Sequence, residues 1–379
     1  MNVFKKFLSN FGLTTTEKIH QPQDGYKPLN AVKFLRQIIT ADSRTSRLLM
    51  WHSDEKLKNV RLEYKMIGED AAQFGKISAD FFDEDFIYSC KLENLKPESL
   101  YKFRIISDDR ATDWQNLKTT GCNDFQMLVF SDSQCTNYKI WQKTADTAAK
   151  NYPDAEIFVM NGDLIDAGQD FRQWRAWYTA AQNLLKEKIL VPVMGNHECY
   201  NCNYFNSPPT GYLQNFKLPT NGIKNFDGYF YSFDYGAARF FVLNTQFYEL
   251  QNFTGDIKDA QEYFFRREVR NSNSRWKIVF MHKPIYNRKF SDFVAEAKNY
   301  FIPLFDELEI DVVISGHFHK YRNCGKFHGT NYVVCGLSGD QNYTGAPDSF
   351  LVINFGADSI NFICKSVDGK ILDNFNLEK

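Results

Sequence analysis

Five apolar runs in this chain end on residues able to bind a metal ion. QMLVF stops at Ser131 and Asp132, with Gln134 two residues further on. EIFVM runs into Asn161-Gly162-Asp163-Leu164-Ile165-Asp166, and ILVPVM into Gly195-Asn196-His197-Glu198. KIVFM ends at His282, and DVVIS runs into Gly316-His317-Phe318-His319. Singly, each has an ordinary explanation: an Asp after a strand caps a helix, and a lone His sits satisfied in a core. Together they do not, because four of the seven histidines fall at these ends. Asp132 and Gln134 are two apart and point to the same side of an extended chain. His317 and His319 are two apart across a tight turn at Gly316, so both can enter one site. Carboxylates, imidazoles and an amide form a mixed nitrogen and oxygen donor set. Such a set suits Mn, Fe or Zn, with ligands enough for two ions and one carboxylate to bridge them.

The elements that position these residues are legible from hydrophobic period. After Gly121, apolar strands near 126–131, 156–160, 189–194, 276–281 and 311–315 alternate with helical periods at 138–151, 169–187, 257–271 and 291–308. That alternation is the mark of an α/β domain, in which ligands bind at the carboxyl ends of the strands. Further strand-like segments follow at 331–336, 349–354 and 359–365. Trp174, Trp177 and Leu184 are expected to face the core from their helix. Residues 199–227 form a long polar loop that is either functional or an irregular insertion. Within it Cys199 and Cys202 read as two free thiols.

From about 27 to 120 the period is two. Val60, Leu62 and Tyr64 alternate with Arg61, Glu63 and Lys65, and Tyr101, Phe103 and Ile105 with Lys102 and Arg104. Seven short strands of this kind predict a β-sandwich of immunoglobulin type. Residues 1–25 read as a tail, with Phe4, Phe7, Leu8 and Phe11 at helical spacing. The expected division is a tail (1–25), a β-sandwich (26–120) and an α/β domain (121–379).

Composition narrows the function. The 379 residues carry 45 basic and 46 acidic side chains, so charge favours neither nucleic acid nor an anionic membrane. Aromatic residues are plentiful, 35 Phe and 20 Tyr, which argues for packed cores. The eight cysteines are scattered and form no disulfide framework. The N-terminal MNVFKKFLSNFG lacks the apolar stretch of a signal peptide, and a cytoplasmic protein is expected.

The five blocks, in this order and spacing over about residues 125–365, resemble those of calcineurin-like metallophosphoesterases. Val279-Phe280-Met281-His282-Lys283-Pro284-Ile285-Tyr286, with the sandwich in front, resembles more narrowly the purple acid phosphatases. Leu95-Lys96-Pro97-Glu98-Ser99-Leu100-Tyr101 resembles the tyrosine corner of fibronectin type III domains. The resemblance implies a four-layer α/β/β/α sandwich with a dinuclear metal centre. Asp163 would bridge two metals, Asp132 and His319 would bind the first, and Asn196, His282 and His317 the second. His197 would be the outer residue near the leaving group. Two positions depart from the pattern. Asp166 stands where purple acid phosphatases carry a metal-binding Tyr, and Gln134 where other members carry a His. Gln134 is a candidate weak oxygen ligand to the first metal.

The expected function is metal-dependent hydrolysis of phosphate monoesters, with Mn or Fe favoured and Zn also suited, and a small phosphorylated substrate as partner. His197 would donate a proton to the leaving oxygen and contact substrate. Tyr321 is a further candidate substrate contact, as are Lys283, Lys320 and Arg322. Glu198 is expected to support the ligands. Two other readings are a phosphodiesterase or nucleotide pyrophosphatase on the same site, and a weakly active member that binds partners through its sandwich.

Overall fold

In the computed structural model, residues 25–82, 84–121, 124–135, 137–285, 292–339 and 345–379 are described. The expected N-terminal helix at Phe4–Phe11 lies outside them. Three sheets organise the described chain. At the middle of a ten-stranded sheet, Phe125–Phe130, Ile157–Asn161 and Ile189–Val193 lie side by side in parallel. A six-stranded sheet holds Tyr231–Tyr235, Ala238–Val242, Trp276–Phe280, Val312–Ser315, Thr330–Val334 and Arg322–Phe327 in that order. The middle four of these run parallel.

The period-two rule shows how the sheets pack, since neighbouring strand residues face opposite sides. Phe125 turns toward the six-stranded sheet and meets Tyr235 at 4.8 Å between ring centroids, whereas Phe130 turns outward onto Trp141 at 5.2 Å. On the six-stranded sheet Phe240 meets Phe355 of the larger sheet at 5.6 Å, while Phe241 faces Phe265 at 5.0 Å. Trp141 lies on helix Lys139–Asn151 and Phe265 on helix Ile257–Arg270. Helix Phe171–Leu185 stacks beside the first of these through Trp177 and Trp141, with ring centroids 6.0 Å apart. It starts where Asp170 accepts the Arg172 N–H at 3.0 Å, an N-cap that satisfies one free donor of the first turn. Helix Asp292–Glu307 stands at 292–307, as the period predicts. Among the described residues no helix is long and apolar enough to cross a membrane.

The N-terminal part is rich in strands. Leu62, Phe103, Ile105, Trp51 and Tyr88 fill a core of their own between two sheets, and the Lys96 N–H donates to Tyr101 Oη at 2.8 Å. One of those sheets is not separate from the α/β part. Strand Lys33–Ile38 pairs in parallel with Ile189–Val193, with Gln37 opposite Ile189 and Ile38 opposite Leu190. Arg47–Ser53, Asp85–Leu92 and Ile77–Phe82 continue the same ten-stranded sheet outward. Strands Tyr231–Tyr235, Ala238–Val242, Arg322–Phe327 and Ile371–Glu378 are findings of the structure. In YSFDY, Tyr231, Phe233 and Tyr235 alternate with Ser232 and Asp234, a short period-two signal, whereas in ARFFV Phe240 and Phe241 fall on opposite faces and no alternation marks the strand.

Candidate metal centre

All five strand ends open on one edge, and their side chains converge. Two ligand groups form: Asp163 with His282 and His317, and Asp163 with Asp132 and His319, each with ligand atoms within 4.8 Å of one another. Asp163 belongs to both.

Close backbone approach makes this possible. A Cβ on Gly162, whose φ is +91°, would lie 2.3 Å from His282 Nδ1, and one on Gly195 would lie 2.2 Å from Asp163 Oδ1. Asp132, Asp163, His317 and His319 themselves have positive φ, between 52° and 70°. L-residues adopt that region at a cost, and it concentrates at functional sites where surrounding bonds hold it. The bonds are present. Both Asp132 oxygens accept from the His317 N–H, at 3.0 and 2.9 Å. Asp163 Oδ1 accepts from the His197 N–H at 2.9 Å.

Glu198 supports the ligand loops. Wholly buried, it accepts three backbone N–H bonds: Asp163 at 2.9 Å, Leu164 at 2.8 Å and Gly195 at 2.6 Å. It thereby locks the loop carrying Asp163 to the loop carrying Asn196. Burial, then the charge of Asp163, push its carboxyl up to about 7. The neighbouring helix holds the same loops with side chains that the sequence marks only as packing or polar. Gln173 Oε1 accepts from Asp166 N and Ala167 N at 2.8 and 3.2 Å. Trp174 Nε1 donates to Gly168 O at 3.0 Å and Trp177 Nε1 to Ser133 Oγ at 3.0 Å. Their helical spacing identified them as core, but the indole N–H bonds depend on tertiary neighbours.

The imidazoles differ in charge. His282 sits with Nδ1 2.9 Å from the Asn161 carbonyl, so Nδ1 carries a proton and Nε2 faces Asp163 Oδ2 at 2.9 Å and Asn196 Oδ1 at 3.2 Å. Burial opposes its charged form, yet Asp163 and Asp132 raise its pKa to about 9. The two carboxylates thus favour a positive charge at this position. Burial and then His282 push His317 down to about 3, leaving it neutral with a free lone pair. Asp163 is held well below the usual carboxylate range: burial works against its charge, and His282 and His197 outweigh it. Burial raises Asp132.

His197 stands outside both ligand groups. Its Nδ1 lies 2.6 Å from the Asp166 carbonyl oxygen and 3.4 Å from Asp166 Oδ1. Its Nε2 lies 3.9 Å from Asp163 Oδ2. Burial disfavours its cation, but Asp163, the Asp166 carbonyl and the Asp166 and Glu198 carboxylates together raise its pKa. Asp166 therefore serves His197, and its second oxygen accepts from the Tyr204 hydroxyl.

Gln134 is at the cluster. Its Nε2 lies 3.2 Å from His319 Nε2 and 3.5 Å from Asp163 Oδ2. Among the described residues its buried Oε1 has no hydrogen-bond partner. Turning the amide over exchanges the two atoms and presents Oε1 to those same ligands. Tyr321 is engaged elsewhere, donating to Asp373 Oδ2 at 2.7 Å. Lys283 Nζ is held by both oxygens of the buried Glu249, at 2.7 and 2.8 Å. Cys199 and Cys202 are free thiols, the first buried and the second exposed.

A family model for calcineurin-like phosphoesterases matches residues 122–321. The chain belongs to the calcineurin-like phosphoesterases. Relatives within this superfamily vary. An uncharacterised protein of Mycobacterium tuberculosis is 23% identical over 330 residues, covering 76% of this chain and 61% of that one. Purple acid phosphatase 1 of Ipomoea batatas is 22% identical over 267 residues, 66% of this chain and 54% of that one. Human serine/threonine-protein phosphatase CPPED1 is 26% identical over 222 residues, 54% of this chain and 65% of that one. This calcineurin-like chain thus spans less than two thirds of the length of each. Among solved structures, the purple acid phosphatase PPD1 from yellow lupin (Lupinus luteus) seeds shares the fold. It superposes with a TM-score of 0.78 at 17% identity, over 92% of this chain and 74% of that one.

Proposed function

We propose that this protein hydrolyses phosphate esters, monoesters foremost, at a centre of two metal ions. The observation that carries this is the sharing of Asp163 between two ligand groups. Asp132, Asp163 and His319, with Gln134 through Oε1, would hold one ion. Asp163, Asn196, His282 and His317 would hold the other. The donor set fits: neutral His317, a buried anionic Asp163 and an unpartnered Gln134 oxygen all favour a cation at the site. Oxygen-rich ligation on the Asp132 side favours Mn or Fe, with Zn also suited. When bound, such ions supply Lewis acidity and lower the pKa of water toward neutrality.

The chain's own residues do the rest. With Nδ1–H donated to the Asp166 carbonyl, His197 keeps Nε2 for substrate. Its raised pKa holds a proton there for the leaving oxygen. The Asp166 carboxylate steadies that charge. Glu198 fixes the spacing between the two ligand loops, which sets the reach of His197 to a phosphorus at the cluster. In front of this site the N-terminal strands form a sandwich of fibronectin type III kind, supported by the Tyr101 bond to Lys96. The helix pairs on the outer faces support a four-layer α/β/β/α arrangement.

The test is metal content and turnover on nitrophenyl monoester, nitrophenyl diester and pyrophosphate substrates, with Mn-loaded protein. The monoester is expected to turn over fastest. His282→Ala is expected to lose about one ion and its activity. His197→Ala should keep its ions and lose ~10²–10⁴ in rate. A diester turned over faster would replace the monoester reading. A metal-replete protein inactive on all three substrates would defeat the enzymatic one.

A further inference from the structure

Residues 200–206 form a short loop built onto the site at both ends. We propose that it is a specificity element that holds a planar aromatic leaving group, with Tyr204 and Phe205 as its contact residues. This deepens the phosphoester hydrolysis proposed above and rests on it.

The loop is closed by an antiparallel bridge between Tyr200 and Asn206. Inside it, the Asn201 N–H donates to Phe205 O and the Tyr204 N–H to Asn201 O, both at 2.9 Å. The Asn201 side chain accepts from Asn203 N at 2.9 Å and Phe205 N at 3.1 Å. Its shape is therefore set before any ligand arrives. Tyr200 anchors the base: its hydroxyl accepts from Asn196 Nδ2 at 3.3 Å, and its ring stands edge-on to His197 at 5.3 Å. Tyr204 anchors the tip, its hydroxyl donating to the Asp166 carboxylate that flanks His197.

Two features point to a ligand at this tip. Tyr204 has φ +59°, a conformation bulky residues seldom adopt, and such strain persists where surrounding structure enforces it. The two neighbouring side chains are also largely exposed, Tyr204 57% and Phe205 69%, and Tyr204 reaches the Asp166 carboxylate beside His197. Tyr204 is held at the site through its hydroxyl on Asp166, and Phe205 carries only an apolar ring. The run YNCNYFNSPP from 200 to 209 has no charged side chain, so recognition here is by stacking and apolar contact. The loop lies on the side of His197, the proposed donor to the leaving oxygen, so it is the leaving group that meets the rings.

The experiment compares phenyl phosphate, adenosine 5′-monophosphate and glycerol 2-phosphate on Mn-loaded full-length protein, wild type and variants Phe205→Ala, Phe205→Trp and Tyr204→Leu. The wild type should prefer the aromatic esters. Phe205→Ala and Tyr204→Leu should lower the ratio of kcat/KM for aromatic over glycerol ester about two- to tenfold, the range of one aromatic contact. The loss should fall in KM rather than kcat, and Phe205→Trp should keep the preference. Which aromatic ester responds separates an aryl alcohol from a nucleoside as the source. An unchanged ratio, or equal losses on all three esters, overturns the inference and leaves the hydrolytic reading standing. A wild type that turns over none of them overturns both.

Discussion

Gln134 sets the two halves of the proposed centre apart. The Asp163–His282–His317 group has two imidazoles and the Asn196 oxygen at hand, whereas the Asp132 side has one imidazole and an amide. A neutral amide oxygen is a poorer donor than imidazole to borderline metals. The Asp132 side is therefore expected to fill last in a stepwise Mn titration and to empty first in chelator. Gln134→His should tighten that weaker step, by about tenfold or more, and leave the stronger one in place. Two indistinguishable steps in the wild type, or a variant with the weak step unmoved, would remove Gln134 from the coordination sphere. Glu198 shows the complementary case of a residue outside both ligand groups that sets their spacing. Its three buried N–H bonds join the Asp163 and Asn196 loops, and each donor left unpaired costs ~1–3 kcal/mol.

At the scale of elements, the decisive junction is the pairing of Lys33–Ile38 with Ile189–Val193. The second strand delivers Asn196 and His197, and the first covers its edge. Arg36 ties the two parts further, donating to the Asn215 carbonyl at 2.8 Å while its guanidinium lies over the Tyr178 ring at 4.6 Å. Arg175 reaches back to Asp85 at 2.6 Å. A chain beginning at residue 121 would leave the backbone of Ile189 and Leu190 as an open, apolar strand edge, a template for association. Such a truncation is expected to elute as aggregate in size-exclusion chromatography. A monodisperse fragment with wild-type turnover would show that the N-terminal strands are dispensable to the site.

The whole molecule has an acid-sensitive joint at the same junction. His52 is buried between its two parts, Nδ1 3.2 Å from Asp85 Oδ2 and Nε2 3.2 Å from Arg36 Nη2. Burial pushes its pKa from 6.5 down to about 4; the Asp85 bond opposes this, and Arg36 and Arg175 add to it. Between those values the unfolded chain takes up a proton that the folded chain does not. Stability is therefore intact above about pH 6.5 and falls as the pH drops toward 4, by up to ~3 kcal/mol from this residue. Urea midpoints measured in chelator across pH 4–7 should show that slope in the wild type. His52→Gln should flatten it, whatever its constant offset. Parallel curves for the two proteins would place the acid sensitivity elsewhere.

Chain order alone made the candidate ligands legible. In a parallel α/β unit every strand's carboxyl end opens on one edge, so Asp132, Asp163, Asn196, His282, His317 and His319 could be gathered without knowing any distance. The four long helices and most strands were legible too, because period is local, whereas the short helices Thr210–Asn215 and Phe247–Leu250 have too few turns to show one. The joining of Lys33–Ile38 to Ile189–Val193 was not: pairing between strands so far apart in the chain leaves no mark on either. Ala238–Val242 escaped because Phe240 and Phe241 put an aromatic ring on each face, whereas Tyr231–Tyr235 does alternate, aromatic against Ser232 and Asp234, over only five residues. Tertiary structure also decided which neighbours each polar group meets. It gave Asp166 to His197 and not to a metal ligand group, turned Trp174 and Trp177 into loop anchors, and brought Tyr204 onto Asp166. A side chain's role at the site depends on what folds against it, and most of those contacts, such as Trp177 to Ser133 and Tyr204 to Asp166, join residues tens of positions apart.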